Sequence, residues 1–302
     1  MKRVPVALRI GLALAAASAP AVAHAQACCA GASLLSPARL TPYEETLVGF
    51  ELRSLTQFGS ADARGHFTPT PANSGSEDVV LTLHHTLRVG ENGQLTWSLP
   101  LDVGARWIPG LNEGAISLGD VAVSFRHDFL LAGESASRPG IAVLASILAP
   151  TGTAPENAHS VLGADAVGSG SWQASLGAGI EQRWGQLTAQ LMVLLQERLP
   201  RTALGLTQVF GPGLSLGGAL AWSFESELSL ALTANSTASL PSWIDGKWSP
   251  DTARSRTTAG LALATPLGER WRLQASLSVV LPFALNELAT FNASVLLMRT
   301  WS

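Results

Sequence analysis

Apolar and polar side chains take turns along most of this chain. Val79, Leu81, Leu83, His85, Leu87 and Val89 form one series, with Thr82, His84, Thr86 and Arg88 set between them. Leu95, Trp97, Leu99, Leu101, Val103, Ala105 and Trp107 alternate with Thr96, Ser98, Asp102 and Arg106. Val121 to Phe129 repeats the rhythm against Asp120, Ser124, Arg126 and Asp128, and Trp271 to Val279 repeats it against Arg272, Gln274, Ser276 and Ser278. Strict alternation places successive side chains on opposite faces of an extended strand, one apolar and one wet. Such strands exceed the five or six residues usual in soluble sheets and suit tilted, membrane-crossing strands of about 9–11 residues. In hydrocarbon each unpaired backbone N–H or C=O costs several kcal/mol, so the sheet has to close on itself.

The connections set the strand number. Short turns fit residues 90–93, 183–185, 225–227 and 266–269, with a somewhat longer one at 132–139. Between them lie longer connections at 59–75, 108–115, 150–168, 198–213, 237–254 and 281–289. Short periplasmic turns alternating with longer external loops are the habit of bacterial barrels. The pattern predicts an all-β, transmembrane, antiparallel up-and-down barrel of about twelve strands over residues 45–302, with both termini in the periplasm. Cutting residues 203–234 into three strands would give an odd number and break the alternation, so residues 202–213 are assigned to a loop. The final strand ends Phe291, Ala293, Val295, Leu297, Arg299, Trp301, with an aromatic one residue from the terminus. That is a near match to the signal that barrel-assembly machinery reads. Trp97, Trp107, Trp172, Trp184, Trp222, Trp271 and Trp301 fall at or near strand ends, as an interfacial girdle requires.

Composition agrees with a barrel and removes its rivals. Charged residues are 14% of the chain and hydrophobic ones 47%, whereas soluble domains usually carry about 25% charge. No apolar run beyond residue 25 is long enough for a membrane helix. A formal charge of −3 offers no basic surface for nucleic acid.

The first residues read as an export leader. Lys2 and Arg3 precede an apolar run to Ala23, and small residues at Ala23, Ala25 and Ala27 supply cleavage sites. Residues 1–27 are therefore expected to be a signal peptide, residues 28–44 a periplasmic N-terminal segment, and the mature protein a component of the outer membrane. The two cysteines, Cys28 and Cys29, are adjacent, so no disulfide framework is available.

The central segment reads GAISLGD at 114–120, VAVSFRHDFLL at 121–131, GIAVLASILAPTGTAP at 140–155 and GSGSWQASLGAGIEQRWGQL at 168–187. This order, with a Gly-Asp opening a strand, a Pro-Thr-Gly external turn and a Gly-Ser-Trp strand, resembles the phenol meta-pathway-like outer-membrane proteins. The resemblance covers residues 115–187 closely and the rest through strand rhythm. It implies a barrel and the transport of small hydrophobic or aromatic compounds, and it carries over no catalytic residues.

Candidate chemistry concentrates on the wet face. Glu51, Arg53, Arg88, Asp102, Arg106, Asp120, Arg126 and Asp128 all fall there. Mixed charges on neighbouring strands can neutralise one another or narrow a path through the lumen. A constriction around Arg88, Arg106 and Arg126 is the expectation for a passive channel whose partners are outer-membrane lipid and a small hydrophobic solute, and which needs no cofactor. Three other readings stand beside it. Cys28 and Cys29, with His66, His84, His85 and His159, contain ligand types that suit copper-type metals but lack metal-site spacing; His84 and His85 fall on opposite faces of one strand. An enzyme would need a nucleophile, a base and an orienting group together, and only His159 with Asp165 suggests the latter two. A structural barrel would be filled, whereas twelve strands with many small inward residues leave space.

Overall fold

The computed structural model describes residues 38–133, 137–281 and 284–302. The leader and the Cys28–Cys29 pair lie outside the described residues.

Twelve long strands follow one another around a closed sheet. They are β1 (Thr46–Ala61), β2 (Gly75–Val89), β3 (Gly93–Ile108), β4 (Val121–Leu130), β5 (Gly140–Ala149) and β6 (Gln173–Trp184), then β7 (Leu187–Arg198), β8 (Gly213–Ser223), β9 (Ser229–Ser239), β10 (Arg254–Pro266), β11 (Trp271–Val280) and β12 (Glu287–Trp301). Each pairs antiparallel with its sequence neighbours, and β12 closes the sheet on β1 from Thr46↔Trp301 to Ala61↔Glu287. Closure gives each of the twelve strands a partner on both sides, which is the condition hydrocarbon imposes.

The faces follow the alternation. Phe50, Leu52, Leu81, Leu83, Leu99, Leu101, Leu176, Leu195 and Leu216 are exposed on the outside, while Thr82, His84, Thr86, Gln94, Thr96, Thr188, Ser215 and Thr233 are buried on the inside. Leu220, Leu232, Leu261 and Leu277 stand in register across β8 to β11, a row of apolar side chains on the outer wall. Trp97, Trp184, Trp222, Trp271 and Trp301 alternate onto the outer face near the end of the barrel that carries the short turns. Arg299 lies between two of them, its guanidinium 5.4 Å from the Trp271 ring and 5.0 Å from the Trp301 ring. A cation held by aromatic faces can sit at a membrane interface without entering the apolar band.

Two connections differ from the sequence expectation. Residues 108–115 were expected to form a long loop. Instead Pro109-Gly110 makes a tight turn, Gly110 adopting φ 86, and Leu111–Leu118 runs back along β3 from Ile108↔Leu111 to Leu101↔Leu118. Proline presets the first turn position and glycine supplies the positive φ of the second, so the chain reverses at once. Leu111–Leu118 leads into β4 through Gly119 and Asp120, where the inward parity shifts: Ile116 and Leu118 point out, as do Val121 and Phe125. Of residues 202–213, all but Gly213, which opens β8, stay out of the barrel wall, but the connection carries two short strands, Arg201–Ala203 and Leu206–Val209. These join Ser242–Ile244 and Lys247–Ser249 in a four-stranded sheet over the loop end, with Trp243 edge-on to Trp248.

Candidate functional site: the two ends of the lumen

All eight charged residues singled out above alternate onto the lumen face or its rim, but the structure divides them among separate places. Arg88 and Arg126 lie at one level, since both are in register with Gln94 across β2, β3 and β4. Arg106 lies twelve residues further along β3, roughly 40 Å of strand at about 3.3 Å per residue. The three arginines therefore do not meet in one constriction.

At the loop end, Arg106 holds Asp78 through two bonds, Nη1 to Oδ1 at 2.6 Å and Nη2 to Oδ2 at 3.1 Å. Arg53 and Asp102 share one cross-strand row through Val80, and Asp102 keeps a buried Oδ1 with no hydrogen-bond partner among the described residues. Glu51 meets the His84 Nε2 at 3.3 Å, while His84 Nδ1 lies 2.9 Å from Ser98 Oγ.

Asp120 anchors a loop. Its Oδ1 accepts from Gly152 N at 3.0 Å and its Oδ2 from Ser169 N at 2.7 Å. Both oxygens thereby tie the stretch between β5 and β6 to the barrel wall. Glu113, on the strand leading into β4, accepts from Val161 N and Leu162 N at 3.0 and 2.6 Å. Ala164, buried in the same loop, brings its carbonyl so close to Gly104 of β3 that a Cβ there would lie 2.4 Å from the oxygen. Glycine is required for that approach. The loop thus packs inward and is tied to Leu111–Leu118 through Glu113.

His159 and Asp165 sit in this loop as structural partners. Asp165 accepts from the backbone N–H of His159 and Ser160 and from Ser160 Oγ, at 2.7, 3.1 and 2.6 Å. The serine hydroxyl donates to the carboxylate and makes no bond to the imidazole, whose ring is exposed to solvent. The Ser160 hydroxyl and the two N–H donors hold the Asp165 carboxyl well below the usual carboxylate range. A depressed folded pKa stabilises the loop fully above the ordinary carboxylate value and progressively less as pH falls below it. Protection of the His159 and Ser160 amides against hydrogen exchange, relative to an unfolded peptide at the same pH, should therefore be constant at neutral pH and fall as pH is lowered below about 4. An Asp165→Asn variant should lack that protection throughout; equal protection in both proteins at every pH would refute the anchoring role.

The turn end holds a group of residues that the alternation could not announce. Residues 38–44, part of the stretch assigned to a segment ahead of the barrel, run into its mouth. Arg39 reaches Glu181 of β6 at 2.5 Å and Asp128 of β4 at 3.6 Å, and Asp128 is also held by Arg126 at 2.6 Å. Arg88 donates to the carbonyl oxygens of Thr41 and Glu44. Gln94 accepts from Leu40 N at 3.0 Å, Thr86 Oγ1 donates to Ala38 O at 2.7 Å, and Glu44 pairs with Arg272 of β11. Leu40 and Ala38 complete a buried cluster with Leu47, Leu296 and Met298. The segment is thus fastened to several walls at once. Its signal in sequence was faint: Ala38 to Glu44 carries two charges, a leucine and two prolines nearby, but no periodicity.

A cavity of about 920 Å³ opens at the loop end, with Phe210, Leu240, Leu288 and several arginines in its wall, and one of about 360 Å³ lies beside residues 39–43 at the turn end. A pocket of about 90 Å³ between Arg126, Leu144, Met192 and Leu194 lies in the wall between them. Among the described residues no three His, Cys, Asp or Glu side chains gather as a metal site would need.

No protein-family model matches the chain, and no curated protein matches it in sequence. Solved structures do. An outer membrane channel, COG4313, from Pseudomonas putida F1 superposes with a TM-score of 0.72 at 15% identity, over 88% of this chain and 98% of that one. The translocator domain of the autotransporter NalP from Neisseria meningitidis gives a TM-score of 0.47 at 13% identity, over 84% and 88%. The TodX monoaromatic hydrocarbon channel, as its deltaS2 mutant, gives 0.45 at 12% identity, over 90% and 94%. At such identities the likeness is one of fold.

Proposed function

We propose that this protein is a passive channel of the outer membrane for small solutes, with hydrophobic or aromatic compounds as its cargo. The carrying observation is the lumen: a closed barrel with an apolar outer wall opens into a cavity at each end. A belt of exposed leucines has no use in water, and a filled scaffold would not keep a vestibule of this size. The fold likeness to a solved outer membrane channel supports the same reading. Apolar side chains enter the lumen where solute would pass, at Phe210 and Leu240 in the vestibule and at Leu144, Met192 and Leu194 further in. Passage follows concentration, because the channel reading calls for no energy source.

Full-length protein reconstituted in planar bilayers should give discrete conductance steps. Cells producing it should take up toluene faster than cells without it, with arabinose uptake as the comparison. Absence of steps over a detergent blank would end the channel reading. Steps with equal gains for toluene and arabinose would leave a channel and remove the proposed cargo.

A further inference from the structure

Resting on the channel reading, we propose that the loop-end vestibule binds small aromatic carboxylates, with Arg198 as the group that holds the carboxylate. Arg198, Arg201 and Arg254 line one cavity together with Phe210. The guanidinium carbons of Arg198 and Arg201 both stand 5.7 Å from the centre of the Phe210 ring. Three cations sharing one vestibule repel one another, and an anion between them would relieve that repulsion.

Asp120 and Glu287 act on Arg198 through space, but no acidic group among the described residues is bonded to it. Glu156 pairs with Arg201 at 3.2 Å and Glu287 with Arg256 at 3.6 Å. Asp120 has given both oxygens to the N–H groups of Gly152 and Ser169, and Asp251, which borders the same cavity, is exposed and makes no ion pair among the described residues. Arg198 donates through Nε to the neutral Gln173 Oε1 at 2.9 Å. Its two Nη groups have no hydrogen-bond partner, and neither Arg198 nor Arg254 has a carboxylate within ion-pair distance, among the described residues. Two parallel N–H donors of a guanidinium match the two oxygens of a carboxylate. The body of the ligand then falls against Phe210, Leu240 and Leu288, which border the same space. An aromatic ring suits that wall better than a short aliphatic acid, because it adds ring contact to the charge pair. The cavity of about 920 Å³ is ample for such a molecule.

The probe is 4-fluorobenzoate, observed by fluorine NMR with the full-length protein in detergent, a measurement that does not depend on conduction. Line broadening that saturates, and that benzoate but neither acetate, inorganic phosphate, benzyl alcohol nor benzylamine reverses at equal concentration, is the expected result. Arg198→Gln should weaken binding about tenfold, as loss of a charge-assisted pair implies. Phe210→Leu should weaken fluorobenzoate binding by less than Arg198→Gln does, since the ring contact is lost while the guanidinium remains. If Arg198→Gln loses the slow-migrating unheated band of a folded barrel, Arg254→Gln replaces it, since Arg254 makes no ion pair among the described residues. Binding unchanged in the folded variant, reversal by phosphate or acetate as effective as by benzoate, or no saturable broadening would each overturn the proposal. Binding by a protein that gives no conductance steps would keep the site and remove the channel; steps without binding would do the reverse.

Discussion

A variant lacking residues 28–44 should conduct several times more current per channel than the intact protein. Resistances along a pore add in series, so the narrowest stretch dominates the total. Residues 38–44 cross the turn-end mouth and are fixed by Arg39 to β4 and β6, by Arg88 to β2 and by Glu44 to β11. Their removal takes away the obstruction together with one cation and one carboxylate, so Glu181 loses Arg39 and Arg272 loses Glu44, while Asp128 keeps Arg126 as a partner. With those charges balanced, the wider mouth should change current far more than ion preference. Arg39→Ala removes the cation alone and should favour cations, which a reversal potential across a salt gradient would register, with a smaller rise in current, because Leu40, with its neighbours in the buried cluster, still holds the segment in place. The stability cost of that change falls on Glu181, a carboxylate of low exposure losing its cation, and breaking such a pair costs about 3–5 kcal/mol when fully buried. Conductance equal to that of the intact protein, from a barrel that still shows heat-dependent migration, would mean that solute passes by another route.

How much of this could be read from the chain depends on where periodicity survives. In β2, β3 and β4 one face is apolar and the other polar, so strand, face and lumen charges were all legible together. β7 is different: Met192 and Leu194 point inward between Leu191, Val193 and Leu195, which point outward. Apolar side chains on both faces erase the alternation. Arg198 consequently looked like the start of a loop, although it is the last residue of a strand and the cation of the vestibule. Residues 108–115 failed for the opposite reason. Their turn chemistry, Pro109-Gly110, was present, but Asn112, Glu113 and Gly114 interrupt the apolar alternation just after the turn, so the returning strand read as loop. Arg39 and the inward loop between β5 and β6 were out of reach, since irregular backbone carries no period and its placement follows from contacts far away in sequence. Asp120 shows the same limit within a legible strand. Its inward face could be read, but its role as an acceptor for Gly152 and Ser169 depends on where that loop folds.

Leu232→Arg should lower the stability of the folded barrel in lipid by about 1–3 kcal/mol, between the interfacial and midplane costs of a guanidinium, because Leu232 lies two residues inward of the Trp222–Leu230 pair. Leu232 is 60% exposed on the outer wall, in register with Leu220 on one side and Leu261 on the other. No acid or aromatic ring stands beside it in that row to receive the charge, in contrast to Arg299, whose ring neighbours Trp271 and Trp301 lie at the interface. Thr233, the next residue, faces the lumen and is buried there. Thr233→Arg places the same side chain in a wet interior, so its lipid-transfer cost is absent and its effect should appear mainly in conductance and ion selectivity. Urea midpoints of the two variants refolded in vesicles of one lipid would separate these outcomes. A Leu232→Arg barrel as stable as the parent, or a Thr233→Arg barrel destabilised more than Leu232→Arg, would mean that the greasy and wet faces have been assigned the wrong way round.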